Sequence, residues 1–380
     1  MKSLRSRIQA IGGVVGGFAV LGGAMAARPS LPVYTLTDLG ELGGGSSEAH
    51  AINELGHVVG RSAVTTGEFH PFLNDGATSD LGTLEGGTSG QATALNDQGD
   101  VVGYSGINGY GPQFGEITQA FLWQSGSLRS LGALWCECTF NRRYGYSEAH
   151  AINSLGQVVG FSEARRCASE HAFLWQDGTM EDISGGPGDP SFSRAYAIND
   201  SGQVAGLIVR DLCSRQSLPT RAFVWESGVL QELGVLSGHT YSAAYGINEA
   251  GDVVGHSGEG SVSRAFLWDQ NTLTDLGVLA GHASSSALDV NDSGQVVGAS
   301  WGADESSSRA FLWQAGRMHD LNQLVVGHPD WLLLEATDIN DAGEIVGSGL
   351  HHGLLRAYRL TPRASARSAA RPPPAKAGPR

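Results

Sequence analysis

The stretch VNDSGQVVG, residues 290–298, decides the fold of this chain of 380 residues. Taken alone, its Asn, Asp, Ser and Gly resemble a loop that binds calcium or phosphate. The same pattern, however, occurs seven times, starting at Ile52, Leu95, Ile152, Ile198, Ile247, Val290 and Ile339. The repeated asparagines are spaced by 43, 57, 46, 49, 43 and 49 residues, which is typical of propeller blades. A repeated structural turn is therefore the better interpretation.

Two further phrases, one like AFLW and one like DLG, repeat in step with this turn, seven times each. Val, Ile, Phe and Trp dominate these runs, and Gly, Asn and Asp separate them. Each repeat is therefore predicted to form four short strands, called a to d here. The Asn-x-x-Gly turn joins strands a and b, and a similarly tight turn joins c and d. AFLW is apolar on both faces, which suits a sheet packed between two neighbours.

The two ends of the repeat region complete each other. The first d strand, residues 34–39, has no c strand before it, and the last c strand, residues 356–360, has no d strand after it. Pairing these strands closes a ring. The sequence therefore predicts an all-β fold, a seven-bladed β-propeller over residues 30–362. The alternative is an open solenoid, which would need capping repeats with a polar outer face.

The repeated phrases resemble those of a known family. HAFLWQDG, residues 171–178, together with the AINxxGxVVG and DLGxLxG patterns, resembles the HAF family of bacterial extracellular repeat proteins over nearly the whole mature chain. The resemblance implies an exported protein built of β repeats, and it implies no activity and no functional residues. Repeat 1 departs from the pattern at Pro71 and Asn74, and repeat 7 ends in AYRL.

The chain ends differ from the repeats in charge and composition. Residues 1–26 have a basic start, an apolar Gly-rich run and an A-x-A site, which together predict a secretory signal peptide. The alternative is a retained membrane anchor, although the run is shorter than the ~20 residues that span a bilayer. Residues 363–380 form a basic Pro/Ala tail that is predicted to be disordered. We therefore expect a secreted protein, extracellular or periplasmic, with no transmembrane segment in the mature chain.

Residues 29–362 contain all 38 acidic residues and only 15 arginines, a net charge of −23 with histidine counted as neutral. Such a surface repels nucleic acid and anionic lipid, so neither is an expected partner. We expect a monomer that binds an extracellular or envelope protein or a glycan. No P-loop, nucleophile elbow or zinc-protease helix occurs in the sequence. The sequence therefore predicts no cofactor and no metal site.

The four cysteines lie in the longest inserts of the repeats. In an exported chain they suggest disulfides, and C-E-C at Cys136 and Cys138 is not a zinc or thioredoxin motif. Three pairings are possible. Cys167 and Cys213 fall in equivalent b–c loops of adjacent blades, so we favour a disulfide between them. The inserts occur in the b–c and d–a connections, which share one side of a propeller, called the loop face here.

Strand a is predicted to be innermost, because a small residue always stands four positions before the asparagine. Two positions before it, Ala or Gly is replaced by Asp289 and Asp338 on the adjacent blades 6 and 7. Three positions before it, the chain has His50, Thr93, His150, Tyr196, Tyr245, Leu288 and Thr337. The carboxylate pair with His50, His150, Tyr196 and Tyr245 near a central channel is a candidate site for a cation or polar ligand, or for acid–base chemistry. The alternative is that these are hydrated channel residues, or that the carboxylates pair with Arg309 and Arg356.

The sequence predicts two classes of function. The favoured one is a non-catalytic binding or scaffold module that uses its variable loop face for a protein or glycan partner. The alternative is a propeller hydrolase or lyase with its site in the polar channel. The repeated asparagine itself is expected to cap its own turn by accepting N–H groups one or two residues on, and the following glycine supplies a positive φ.

Overall fold

The structure, a computed structural model, describes residues 31–108, 116–134, 145–163, 170–184, 192–210, 219–303 and 307–363. The predicted signal peptide, all but one residue of the predicted tail and all four cysteines lie outside these residues. The predicted disulfide between Cys167 and Cys213 is therefore not described. Within the described part of the chain, no helix is long and apolar enough to cross a membrane.

In these residues the chain forms seven antiparallel sheets of four strands each. Blades 1 to 3 comprise β2 (Gly43–Ile52), β3 (Val58–Val64), β4 (Phe69–Asn74) and β5 (Thr78–Asp80); β6 (Gly90–Leu95), β7 (Val101–Asn108), β8 (Glu116–Gln124) and β9 (Ser127–Gly132); and β10 (Ser147–Ile152), β11 (Val158–Glu163), β12 (Glu170–Gln176) and β13 (Thr179–Asp182). Blades 4 to 6 comprise β14 (Phe192–Ile198), β15 (Val204–Val209), β16 (Arg221–Glu226) and β17 (Val229–Gly234); β18 (Tyr241–Ile247), β19 (Val253–Glu259), β20 (Val262–Asp269) and β21 (Thr272–Gly277); and β22 (Ser284–Val290), β23 (Val296–Trp301), β24 (Arg309–Gln314) and β25 (Arg317–Asp320). Blade 7 comprises β26 (Trp331–Ile339), β27 (Ile345–His351), β28 (Leu354–Pro362) and β1 (Tyr34–Asp38). A short 3-10 helix, Leu321–Gln323, follows β25.

The two ends of the repeat region close the ring as predicted. Strand β1 pairs antiparallel with β28, from Tyr34 opposite Pro362 to Asp38 opposite Tyr358. The seven-bladed propeller predicted from the sequence is therefore confirmed, and the alternative of an open solenoid is wrong.

The repeated asparagines link each blade to the next. The side-chain Nδ2 of each one donates to the backbone carbonyl of the asparagine in the following blade, at 3.0 to 3.2 Å, and Asn340 donates to Asn53 to complete the circle. Its Oδ1 accepts the N–H of the residue four positions on, at 2.8 to 3.0 Å. The expected turn cap is thus present, but it reaches farther than predicted, and only Asn53 and Asn153 also bond two residues on.

The turn glycines have φ between 71° and 83°, as the sequence predicts, a region that favours glycine. The side of the propeller with these a–b turns is called the turn face. The hydrophobic core lies between blades. In one such cluster, Val159 and Ala172 of blade 3 pack against Ala195, Val204 and Phe223 of blade 4. The tryptophan that ends the strand-c phrase, at Trp123, Trp175, Trp225, Trp268 and Trp313, packs in a cluster of this kind in each case.

Candidate functional site

A β-bulge interrupts each of the seven inner strands three residues before the repeated asparagine. A bulge leaves one residue outside the ladder and redirects its side chain. His50 Nδ1 accordingly donates to the carbonyl of Ala92 in the next blade at 2.7 Å, and Thr93 Oγ1 donates to that of Ala149 at 2.9 Å. The fold therefore collects the seven variable residues that the sequence analysis noticed into one ring around the axis.

Five rings form a continuous series along blades 3 to 5, called the aromatic arc. His150 stacks on Phe161 with centroids 5.3 Å apart and meets Tyr196 edge-on at 5.1 Å. Tyr196 lies 5.2 Å from Tyr245, which lies 5.5 Å from His256. The structure thus brings together three of the predicted site residues, His150, Tyr196 and Tyr245. Phe161 and His256, which follow the V-V-G glycine in their strands, were missed.

A set of charged side chains, called the charged rim, borders the arc. Arg61 contacts Glu48 at 2.7 Å in blade 1, and Arg194 contacts Glu170 at 2.6 Å between blades 4 and 3. Glu148 lies 3.4 Å from His150 Nε2 and accepts a hydrogen bond from the Tyr146 hydroxyl. The guanidinium of Arg194 lies 4.2 Å above the Phe161 ring, within the range of a cation–π interaction. The aromatic arc, the charged rim and His50 together form the axial basin.

The charged rim was not predicted from the sequence, although the sequence contains a signal for it. Glu48, Glu148 and Arg194 all stand five positions before the repeated asparagine. Arg61 follows the V-V-G glycine and pairs with Glu48 in the ladder. Both positions vary from blade to blade, as the bulge position does, so a comparison of every column of the repeat would have found them.

The basin is electrically mixed and contains neutral rings between its ion pairs. Burial lowers the pKa of His256 to about 4. Burial also lowers the pKa of His50, against the opposing effects of the Ala92 carbonyl and Glu48. Tyr104, beside the rim on blade 2, has its pKa raised to about 12 by burial and by the charge of Glu148, and burial raises the pKa of Tyr196. Both histidines are therefore neutral, and both phenols protonated, at neutral pH.

Asp289 and Asp338 meet as predicted, but away from the aromatic arc. Burial, and then the neighbouring Asp289 carboxylate, hold the pKa of Asp338 well above its usual range, and the two side chains share a hydrogen bond. Asp338 Oδ2 accepts the N–H of Ile52 at 2.7 Å, and Asp289 Oδ2 accepts that of Ile339 at 3.1 Å. Among the contacts of the described residues, neither carboxyl group joins the basin. The pair satisfies backbone N–H groups of inner strands.

In the part of the chain that the structure describes, the two arginines offered as alternative partners of these carboxylates contact other groups. Arg309 donates to the carbonyl of Ser308 at 2.8 Å, and Arg356 lies 4.0 Å from Glu41.

A second ring of polar groups lies on the turn face, one residue after each asparagine. Its members are Glu54, Asp97, Ser154, Asp200, Glu249, Asp292 and Asp341. The carboxylates accept backbone N–H groups from the neighbouring blade, as Glu54 does from Asp341 at 2.9 Å. Burial, followed by the nearby carboxylates, raises the pKa of Glu54 and of Glu249. This acidic ring was also missed, and its hydrogen bonds join blades to one another.

Fold and site together define the class, a seven-bladed β-propeller with a polar, aromatic-lined basin on its axis. Within that class, the model of a family described as "Protein of unknown function (DUF3466)" matches residues 76–233, which include blades 2 and 3. The match gives no activity and does not address the resemblance to the HAF family, which stays a prediction. No curated protein matches the chain.

Several solved structures are similar to the chain at low identity. The β-propeller domain of the Trilobed protease from Pyrococcus furiosus is 11% identical, with a TM-score of 0.49 over 87% of this chain and 94% of that one. An acylaminoacyl peptidase of Pyrococcus horikoshii is 12% identical, with a TM-score of 0.45 over 82% of this chain and 52% of the peptidase. The SapL1 lectin, solved with alpha methyl fucoside, is 11% identical, with a TM-score of 0.43 over 73% and 95%. Similarity at this level concerns the fold and carries no argument about function.

Proposed function

We propose that this chain is an exported, non-catalytic binding protein that holds a glycan in the axial basin. The observation that carries the proposal is the aromatic arc, three half-buried rings and two flanking ones in contact across blades 3 to 5 beside two arginine–carboxylate pairs. Small-molecule sites typically combine aromatic walls with a few fixed polar groups in this way.

The chemistry of the basin favours a neutral, hydroxyl-rich ligand over a strongly charged one. Sugar rings have apolar C–H faces that pack on aromatic rings and hydroxyl groups that both donate and accept hydrogen bonds. Tyr196, Tyr245 and the neutral His50 and His256 offer matching donors and acceptors. The two arginine–glutamate pairs of the charged rim balance one another, and Glu148 adds one further carboxylate. One unbalanced charge gives a strongly charged ligand little advantage.

Export is the second part of the proposal. The signal-like composition of residues 1–26 supports it, as does the resemblance to an extracellular repeat family. A net charge of −23 over residues 29–362 disfavours nucleic acid and anionic membranes as partners. The alternative to a glycan is a protein partner that binds at the loop face, and the experiment distinguishes the two.

The test is a glycan array followed by calorimetric titration of the bound glycans. Tyr196→Phe and Glu148→Gln remove one hydroxyl and one charge from the basin while preserving side-chain size. Each is expected to weaken binding tenfold or more, because a polar group of the ligand loses its partner in a desolvated site. The matched control is Asp200→Asn, in the same blade as Tyr196 but on the turn face, which should bind like the wild type. If no glycan binds, or if the control loses as much affinity as the basin variants, the proposal fails. Capture of a protein partner by the wild type, lost in the basin variants, would favour the alternative.

The carboxylate pair provides a specific observation for the second candidate function, a hydrolase or lyase. A carboxyl group with a raised pKa, hydrogen-bonded to a second carboxyl group, is an arrangement that acid–base catalysis uses. Turnover of a glycan that disappears in both Asp289→Asn and Asp338→Asn would establish it. The backbone bonds that already occupy this pair favour a structural role, and we expect no such turnover.

A further inference from the structure

Two histidines and an aspartate meet at the loop-face end of the closing blade. His351 ends β27, His352 lies in the turn to β28, and Asp330 directly precedes β26. Asp330 Oδ2 lies 2.8 Å from His351 Nε2 and 3.5 Å from His352 Nε2. One ligand atom from each of the three lies within 4.8 Å of the others. In tetrahedral zinc sites with bonds of about 2.0–2.1 Å, neighbouring ligand atoms stand roughly 3.3–3.5 Å apart. The cluster therefore needs only small side-chain shifts to surround one ion.

A fourth residue orients the central histidine. His351 Nδ1 lies 3.3 Å from Asp38 Oδ2, at the end of β1. Histidines that bind metal usually donate their second ring N–H to a carboxylate, which fixes the tautomer and the ring plane. His351 Nε2 donates to Asp330 Oδ2 at 2.8 Å, and a metal ion would replace that proton while the Nδ1 proton stays directed at Asp38. Trp331 stacks on the same ring, with centroids 4.7 Å apart and an angle of 15°, and further fixes its plane.

We infer that Asp330, His351 and His352 form a binding site for a divalent transition-metal ion of the zinc class, with Asp38 as the positioning residue. Imidazole nitrogen and a single carboxylate suit Zn²⁺, Ni²⁺ or Cu²⁺, whereas Ca²⁺ and Mg²⁺ favour several oxygen ligands. Three protein ligands leave one position of a tetrahedral ion for water or for an exogenous group.

The location gives the ion a structural consequence. Asp38 comes from the strand nearest the N-terminus of the propeller, whereas the two histidines come from its last hairpin. The metal ion and Asp38 would therefore connect the end of the first strand, β1, to the last hairpin, β27–β28, in the blade that closes the ring. Sequence analysis assigned no metal, because Asp330 and the histidines are 21 residues apart and match no known motif.

The experiment is calorimetric titration of the full chain, purified without a histidine tag, with ZnCl₂. We expect one Zn²⁺ per chain in the wild type, binding that persists in excess Ca²⁺ and Mg²⁺, and a higher melting temperature in its presence. His352→Ala, an exposed side chain whose loss leaves the fold intact, should lower the Zn²⁺ affinity at least tenfold. Asp330→Asn should do the same.

Two further variants separate a built site from a surface contact. Asp38→Asn retains the oxygen that accepts the N–H of Gly40 but removes the carboxylate, and it should lower the affinity about 10- to 100-fold. His70→Ala removes the histidine of another His–Asp pair, at 2.9 Å from Asp80, and should bind Zn²⁺ like the wild type. The inference is overturned if the wild type shows no saturable one-to-one binding, if His352→Ala binds as tightly as the wild type, or if His70→Ala loses as much affinity as His352→Ala.

Discussion

The inner strands of this propeller follow two different rules along their length. At the turn face, each of the seven is followed directly by an asparagine whose side chain bonds its own turn and the next blade. Three and five residues before that asparagine, on either side of a repeated alanine, the same strands carry residues that differ from blade to blade, among them Glu, Arg, His, Tyr, Thr and Leu. Identical residues stand where every blade needs the same bond, and variable residues form the axial basin. We therefore expect substitutions at the repeated positions to change stability and those in the axial basin to change binding.

The largest expected effect comes from a glycine that repeats in every blade. A Cβ on Gly160 would lie 1.9 Å from the carbonyl oxygen of Glu148 and 2.9 Å from the Cα of Ala149, both backbone atoms of the inner strand. Backbone atoms cannot give way without separating the strands. We expect Gly160→Val to lower the free energy of unfolding by at least about 3 kcal/mol in urea denaturation.

The control for this substitution is Leu155→Ala in the same blade, whose side chain is 65% exposed. Its expected effect is within about 0.5 kcal/mol. Equal stability of Gly160→Val and the control would show that the repeated glycine does not enforce the close strand pairing.

The second effect concerns the asparagine ring. In Asn199→Ala the N–H of Gln203 and the carbonyl of Asn248 both lose their bond to the side chain, at 2.9 and 3.0 Å in the wild type. The Asn248 carbonyl still accepts the N–H of Gly251 at 3.1 Å, so only the N–H of Gln203 is left without its partner. An unpaired buried polar group costs about 1–3 kcal/mol, so we expect a loss of roughly 1–2 kcal/mol by the same measurement. The half-buried Asn74, whose amide bonds the Thr78 side chain, is the matched control. A loss no larger than that of Asn74→Ala would mean that the ring does not hold the blades together.

The repeats and the basin also differ in how far the sequence alone predicts them. Strand number, blade number and closure follow from the spacing of identical phrases and from the unpaired strands at residues 34–39 and 356–360. The link from Asn291 to Asn340 does not follow from the sequence, because the geometry that places an amide beside the next blade depends on the ring as a whole.

The axial basin was predicted only in part, because only some of its residues stand at a fixed position in the repeat. The bulge positions His150, Tyr196 and Tyr245 were found because they stand at a fixed distance from the asparagine. Phe161 lies on another strand, and only the ladder register opposite Glu148 brings it to the same place. The expected union of Asp289 and Asp338 with these rings is not observed, because the carboxylates turn to backbone N–H groups instead.

The third effect is a pH dependence. It arises in blades 6 and 7, where Asp289 and Asp338 replace the Ala or Gly found two positions before the other repeated asparagines. Because the pKa of Asp338 is raised in the folded protein, the stability it contributes is present at low pH and is lost as the pH rises from about 4 through its folded value. Asp338→Asn mimics the protonated acid, so its stability relative to the wild type should increase from pH 4 to pH 8. Each pKa unit between the folded and unfolded states corresponds to about 1.4 kcal/mol.

A control of opposite sign is available in blade 3. Burial acts to raise the pKa of Asp182, but hydrogen bonds from His171 and Ser184 outweigh it and lower the pKa. Stability from Asp182 is therefore present above about pH 4 and lost as the pH falls through its lowered value. Asp182→Asn should be less stable than the wild type at pH 7, with the difference shrinking in acid. Parallel pH profiles for Asp338→Asn and the wild type would contradict the raised pKa of Asp338.

The smallest effect tests whether charge contributes to the regularity of the turn face. Burial and then the carboxylates around it raise the pKa of Glu54, so its charged form is disfavoured in the folded protein. Glu54→Gln keeps an oxygen for the N–H of Asp341 and removes one charge from the acidic ring. We expect a gain of about 0.3 kcal/mol in low salt. The part of the gain that comes from repulsion between carboxylates should be screened in 1 M NaCl, where the Debye length falls to about 3 Å, so the gain should shrink there. Glu226→Gln, an exposed carboxylate outside the ring, should show a smaller gain. A loss of stability in Glu54→Gln would mean that the charge of Glu54 strengthens its hydrogen bond to the neighbouring blade. Charge would then hold the blades together at the turn face in addition to the asparagine amides.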